Sequence, residues 1–353
     1  MRAEGTKNKD TIRRLHSIAV QHRREQARKK FERIESTLLQ HIASGYEVVP
    51  ERINPVLVEV MPDSWEERLF RYACLHWSIP VSSGYGRRLR FLAVDQFNEK
   101  LIGVVGLGDP VFSLRARDSW VGWTKEVRQQ RLQAVMDAFV LGAVPPYSYL
   151  LGGKLVAMLA ASNEVRQVFS RKYSAKKSLI QNRRLDGQLA LITTASALGR
   201  SSIYRNLRLP DWNLFVSCGF TKGSGEFHFT NGVYTKLSEF VHKECEPTAK
   251  NESWGTGFRN RREIVKKGLK KLGLSPDWVY HGVARELFVI PTAKNTKSYL
   301  CGEATELESL DLPVHSLHEW FRERWLMKRA VTNLEWRTFE RESWQLWKKT
   351  DGG

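Results

Sequence analysis

Apolar positions along this chain follow two rhythms. In IRRLHSIAVQHRREQARKKFERIESTLLQHI, within residues 11–43, Ile12, Leu15, Ile18, Ala19, Phe31, Ile34, Leu38 and Ile42 recur every three or four residues, which predicts an amphipathic helix. Gly45, Pro50 and Pro55 end the pattern. SWEERLFRYACLHW, closing at Trp77, predicts a second helix, and residues 125–137 a third, with Val127, Leu132, Val135 and Met136 on one face. The other rhythm is short and β-branched. Residues 90–94 and 101–107 (LIGVVGL), joined by the polar turn DQFNEK, predict a hairpin. Residues 138–144 predict a strand stopped by Pro145 and Pro146, with Ser148 capping a helix that runs to about Ala161. LALITT predicts a buried strand, and 214–220 and 225–229 predict two more around the turn TKGSG. REIVKKGLKKLGL reads as a short helix with Ile264, Leu269 and Leu272 inward, and residues 317–347 set Trp320, Trp325, Trp336, Trp344 and Trp347 at helical spacing.

This mixture predicts an α/β (α+β) fold, a central mixed sheet with helices on both faces, extended by a basic N-terminal helix and Trp-rich C-terminal helices. The expected boundaries are a basic amphipathic arm over 1–45, an α/β core over 46–246 and a C-terminal extension over 247–353. The Gly-rich polar stretch NESWGTGFRNRR marks the second border. With 42% hydrophobic residues and 11% aromatics in 353, the chain can bury a sizeable core.

Charge changes the picture. Fifty-six Lys and Arg against 38 Asp and Glu give a formal charge of +18, which favours an anionic partner. Nucleic acid leads, although charge alone does not separate DNA from RNA. The candidate contacts are Arg23, Arg24 and Arg28 in the arm, Arg166, Arg171, Lys172, Lys176 and Lys177 before LALITT, and Arg261, Arg262, Lys266 and Lys270 further on. Each basic run is also what a solvated helix face looks like. Trp254, Phe258, Trp320, Phe321 and Trp325 lie in or beside cationic text, where they either stack on unpaired bases or fill a core.

Cys74, Cys218, Cys245 and Cys301 are far apart, without CxxC pairs or zinc spacing, and predict reduced thiols. No run reaches the roughly 20 apolar residues of a membrane span, and the N-terminus lacks the apolar stretch of a signal peptide, so a soluble cytoplasmic protein without a membrane partner is expected. Asp109 in GDPVF and Asp118 in RARDSW, with Glu226 or His228, form a set that could hold a divalent metal as nucleases do; the plainer reading is two turn-forming aspartates and a surface ion pair. His315 and His318 share a helix face but lack third and fourth ligands, and no metal site is predicted.

RFLAVDQFNEKLIGVVGLGDPVF, GWT, VLGAVPPYSYLLGGKLVAML, LITTASALGRSSIY, CGFTKGSGEFHF and HGVARELFVIP, in that order across residues 67–301, resemble the DruA family of Druantia anti-phage defence systems. The resemblance implies a component of a bacterial defence system that works with a helicase-like protein, with DNA as its setting; similar domains accompany some transposases. It does not supply a chemistry.

The order of elements is also similar to the acyl-CoA N-acyltransferase (GNAT) fold. That likeness implies a strand splayed from its neighbour and a glycine-containing cradle for the pyrophosphate of acetyl-CoA, here Tyr149, Leu151, Gly152, Gly153 and Lys154. It also implies Tyr204 as the acid that protonates a departing thiolate, with Asp137 or Glu226 as base by proximity. The loop departs from the family pattern, which has Arg or Gln shortly before Gly-x-Gly, and adjacent glycines equally mark close helix packing. The alternatives therefore remain a DNA-binding defence component, an active acyltransferase, and a metal-dependent nuclease or transposase-associated protein.

Overall fold

The computed structural model describes residues 9–347 apart from 83, 85, 175, 177–184, 222, 224–228, 230–231, 248–257 and 281. The N-terminal periodicity becomes α1 (Lys9–Phe31), a 3-10 turn (Glu32–Ile34) and the short α2 (Glu35–Leu39), not the single helix expected over 11–43. The break lets Glu35 turn inward to accept a 2.8 Å hydrogen bond from the Tyr72 hydroxyl. Leu38, Leu39 and Ile42 are buried with it.

β1 (Pro55–Glu59) leads to α3 (Trp65–Cys74), whose start is set by the Ser64 side chain accepting from the Glu67 N–H. β2 (Arg88–Asp95) and β3 (Lys100–Gly108) form the expected hairpin, closed at Asp95 opposite Lys100. α4 (Arg115–Val121) and α5 (Lys125–Arg131) follow. The helix expected over 125–137 stops six residues early, because β4 (Val135–Ala143) already begins and buries Val135, Met136, Ala138 and Val140. α6 (Gly152–Leu159) starts later than the Ser148 cap predicted, after tight turns in which Leu151 adopts a left-handed φ of 62°. Gly152 is required there, since a Cβ would lie 2.6 Å from the Tyr147 carbonyl oxygen.

After α7 (Asn163–Tyr173) and β5 (Leu191–Ala195), the helix expected to carry Tyr204 is only a 3-10 turn (Tyr204–Asn206). The polar groups of this segment bond across to Glu286 instead of closing a helix of their own. β6 (Val216–Phe220), α8 (Val233–Glu244), α9 (Phe258–Lys271) and β7 (Glu286–Pro291) complete the sheet region, followed by α10 (Thr296–Cys301), α11 (Val314–Phe321) and α12 (Met327–Thr332). The strand expected at 225–229 lies almost entirely outside the described residues.

The seven strands form one mixed sheet in the order β1-β2-β3-β4-β5-β7-β6, antiparallel throughout except for the parallel pair β4–β5. One face buries Phe91, Val105, Met136, Ile192, Phe288 and Ile290 against α6, α7 and α11. On the other, Leu92, Val104 and Val140 pack on α2, α3 and the tail, while Val135, Leu191 and Val289 pack on α4 and α10. Trp336 and Trp347 are core residues, which settles two of the five tail tryptophans. Among the described residues no helix is long and apolar enough to cross a membrane.

Candidate functional site

The parallel ladder between β4 and β5 ends at Ala138 opposite Thr194, where the Thr194 hydroxyl donates to the Ala138 carbonyl at 3.1 Å. Beyond it β4 runs on through Ala143, paired to β3 alone. The β3–β4 register shifts here too, with Gly106 opposite Val140 and Leu107 opposite Ala138, so Phe139 sits in a bulge. A sheet that loses one neighbour and bulges toward the other presents side chains at the opening.

Three polar groups gather there. Asp137 accepts a 2.6 Å hydrogen bond from the Thr193 hydroxyl, and burial raises its pKa against the opposing pull of that bond and of the Arg285 and Arg117 charges. The Arg285 guanidinium donates from Nε to the Ser196 carbonyl at 2.7 Å; burial lowers its pKa, while Asp137 and Tyr204 act in the other direction. Tyr204 stacks on Phe215 at 5.0 Å and meets Phe288 edge-on at 5.4 Å. Burial lifts its phenol to about 12 despite a hydrogen bond with Thr194 and the nearby Arg285 charge, so it holds its proton at neutral pH. A carboxyl, a guanidinium and a protonated phenol around one opening can bind an anion and exchange a proton with it.

Glu286 fixes the segment that returns from β5. Although fully buried, it accepts from Arg205 at 3.0 Å, the Ser217 hydroxyl at 2.9 Å and the Ser201 N–H at 3.2 Å. Burial works to raise its pKa, but these bonds outweigh it and hold the carboxylate below its ordinary value. Arg285 and Glu286 carried no assignment in the sequence; their signal was a charged pair opening an otherwise wholly apolar strand, ELFVIP. Asp137, named as a base by proximity, was expected at the end of a helix and lies instead in β4.

The other predicted residues are dispersed. Tyr149 packs on Phe339 and its carbonyl accepts from Arg329 at 3.0 Å. The N–H groups of Tyr149, Leu150, Leu151, Gly152 and Lys154 donate to carbonyls of residues 146–151. Lys154 Nζ lies 3.4 Å from the Ile203 carbonyl and 5.1 Å from the Trp325 ring centre, and the Cβ position of Gly153 is 3.6 Å from Ile203. Asp109 is paired with Arg87 at 2.6 Å; Asp118 is paired with Arg117 at 2.6 Å and Arg128 at 2.9 Å. Glu226, His228 and Lys177 lie outside the described residues, and among those described no three His, Cys, Asp or Glu side chains group to hold a metal.

The cationic candidates divide into tethered and exposed. Arg24 donates to the Leu75 carbonyl at 2.9 Å, Arg28 pairs with Glu32 at 3.0 Å, Arg166 binds the Leu310 and Thr292 carbonyls, and Arg171 pairs with Glu59. Lys172 donates to the Arg88 carbonyl at 3.1 Å, Lys176 lies over the Tyr173 ring, Arg261 over Tyr234 and Arg262 over Tyr280. Arg23 reaches the Val81 carbonyl, and its pKa is lowered by burial and by the Arg261 charge, so α1 and α9 bring two basic runs together. Lys266 and Lys270 are exposed on α9.

The family model described as Druantia protein DruA matches residues 6–302. The chain belongs to the DruA family. It is 40% identical over 347 residues to the Druantia protein DruA of Escherichia coli strain UMEA 4076-1, an alignment covering 97% of this chain and 83% of that DruA. No solved structure gives a significant match. The ladder end, the Phe139 bulge and the Asp137, Tyr204 and Arg285 cluster all fall within the segment matched by the DruA model.

Proposed function

We propose that the chain is the DruA component of a bacterial anti-phage defence system and that it binds DNA through its basic surfaces, on a GNAT-like core, together with a helicase-type partner. The observation that carries this reading is the DruA match over residues 6–302 in a chain of formal charge +18. Exposed Lys266 and Lys270, and the approach of Arg261 to Arg23, support a basic track at α1 and α9. The strand order with one parallel pair, and the ladder that stops at Ala138 and Thr194, support the GNAT-like description.

Filter binding of duplex and single-stranded DNA at two salt concentrations tests the DNA reading. Measurable affinity at low salt that falls steeply with added salt is expected, and Lys266→Gln with Lys270→Gln should lower the salt slope by about 1 per lysine removed. No measurable binding at low salt would end it.

A second reading, an acyl-CoA-dependent acyltransferase, is favoured by Asp137 and the protonated Tyr204 at the strand opening. The internally bonded N–H groups of the turn before Gly152, and Ile203 beside Gly153, weigh against a phosphate cradle there and rank it second. Calorimetry with acetyl-CoA separates the two, since heat of binding is expected only for the second.

A further inference from the structure

Beside the bulge, on the face that carries Phe139, a cleft of about 470 Å³ opens between α1, α3 and the edge of β2. Its volume lies in the range of small-ligand sites. Phe70, Phe139 and Val81 give it apolar walls, and Arg23, Arg71, Arg88 and Arg90 line it, with no carboxylate among the lining residues. One acid stands behind: Glu67 pairs with Arg90 at 2.7 Å and with Arg71 at 3.0 Å. Arg88 and Arg23 have no carboxylate partner among the described residues; Arg88 is exposed, and Arg23 keeps further donors beyond its bond to the Val81 carbonyl.

Charge arrives from outside as well. Lys172 of α7 donates to the Arg88 carbonyl, and its pKa is lowered by burial and by the Lys176 and Arg90 charges, with Glu59 opposing. The basic run of α1 therefore lines this cleft through Arg23, and that of α7 meets its rim through Lys172 at the Arg88 backbone. Cys74 also lines it, but burial lifts its thiol to about 12, so it is an apolar wall there and not a nucleophile.

We propose that this cleft binds a single nucleotide, its base against Phe139 and its phosphate on Arg88 and Arg23. An apolar aromatic wall rimmed by planar guanidiniums matches a flat base joined to a phosphate, which two-pronged arginine donors hold better than a point charge would. The nucleotide is either free or an unpaired member of a DNA strand. In the second case the site deepens the DNA-binding reading above, supplying single-strand recognition that the α9 lysines do not.

Binding of fluorescent dAMP to the full chain is the test, with unlabelled single-stranded oligo-dA, duplex DNA and decanoate as competitors. Saturable dAMP binding is expected, weakened about tenfold or more by Arg88→Glu, as loss of a charge-assisted contact implies, and weakened also by Phe139→Ala. Arg88→Gln, which removes the charge without reversing it, should fall between, with circular dichroism unchanged. Competition by oligo-dA assigns the site to a strand, and its absence assigns it to a free nucleotide; both uphold the site. Absent dAMP binding, binding indifferent to Arg88→Glu, or equal displacement by decanoate overturns it. If dAMP binds as expected while neither DNA form binds at low salt, the DNA reading fails and the nucleotide site stands.

Discussion

Two carboxylates, one fully buried and one half-buried, are treated in opposite ways. At the seam joining the chain's two ends, Glu35 is 1% exposed and accepts from the Tyr72 hydroxyl at 2.8 Å, the Leu346 N–H at 2.7 Å and the Trp347 N–H at 3.2 Å. At the strand opening, Asp137 has one hydroxyl bond, from Thr193, and shares the field of Arg285 with Tyr204. A buried acid surrounded by donors is architecture, because its desolvation is offset bond by bond. One left short of donors, with its pKa raised, is suited to exchanging a proton or meeting a ligand.

The largest effect expected from breaking this contrast is at the seam. Glu35→Ala strands one hydroxyl and two N–H groups that the tail closes over, at about 1 kcal/mol or more each. A loss of about 3 kcal/mol or more is expected in urea denaturation of the full chain, with Trp344 and Trp347 fluorescence shifting toward that of exposed tryptophan. A loss below about 1 kcal/mol would mean that packing, and not Glu35, holds the two ends together.

These regions also mark how much the sequence discloses. The β2–β3 hairpin was legible because two short apolar runs flank a polar turn, so local pattern and final pairing agree. The family was legible from long unusual motifs. The placement of β7 between β5 and β6 was not, since its register with Leu191–Ala195 joins residues about a hundred positions apart, and nothing in ELFVIP names its partner. The same long reach places Arg285 and Glu286 at the site. Asp137 was a candidate base, but its element was obscured by a local ambiguity: residues 125–137 satisfy helical spacing, yet burial from Met136 onward follows the two-residue alternation of a strand. The Trp-rich tail read first as core and second as stacking surface, and Trp336 and Trp347 are buried while Trp344 stacks on His76.

His76 sharpens the seam by pH. Its ring stacks on Trp344 with centroids 3.5 Å apart, and burial, aided by the Arg24 charge, presses its pKa to about 3. Between about 6.5 and about 3 the folded chain binds fewer protons here than the unfolded one, so stability falls as pH falls through that window. The slope from this group is at most about 1.4 kcal/mol per pH unit. Chemical denaturation across that range should show His76→Phe with a flatter acid limb than the wild type. An unchanged limb would show that the seam opens to water before His76 titrates.

The smallest stability effect belongs to the opening. Asp137→Asn keeps an oxygen to accept from Thr193 and removes a charge that burial opposes, so stability within about 1 kcal/mol of the wild type is expected. The sign with pH is opposite to that of His76. Because the folded state holds the Asp137 proton more tightly than the unfolded state, the wild type loses stability relative to Asp137→Asn as pH rises from the ordinary aspartate range, while the two converge in stronger acid. Paired denaturation curves at acid and neutral pH read this directly. If Asp137→Asn costs as much as Glu35→Ala at every pH, Asp137 is a structural carboxylate like Glu35, and the opening loses its standing as a site.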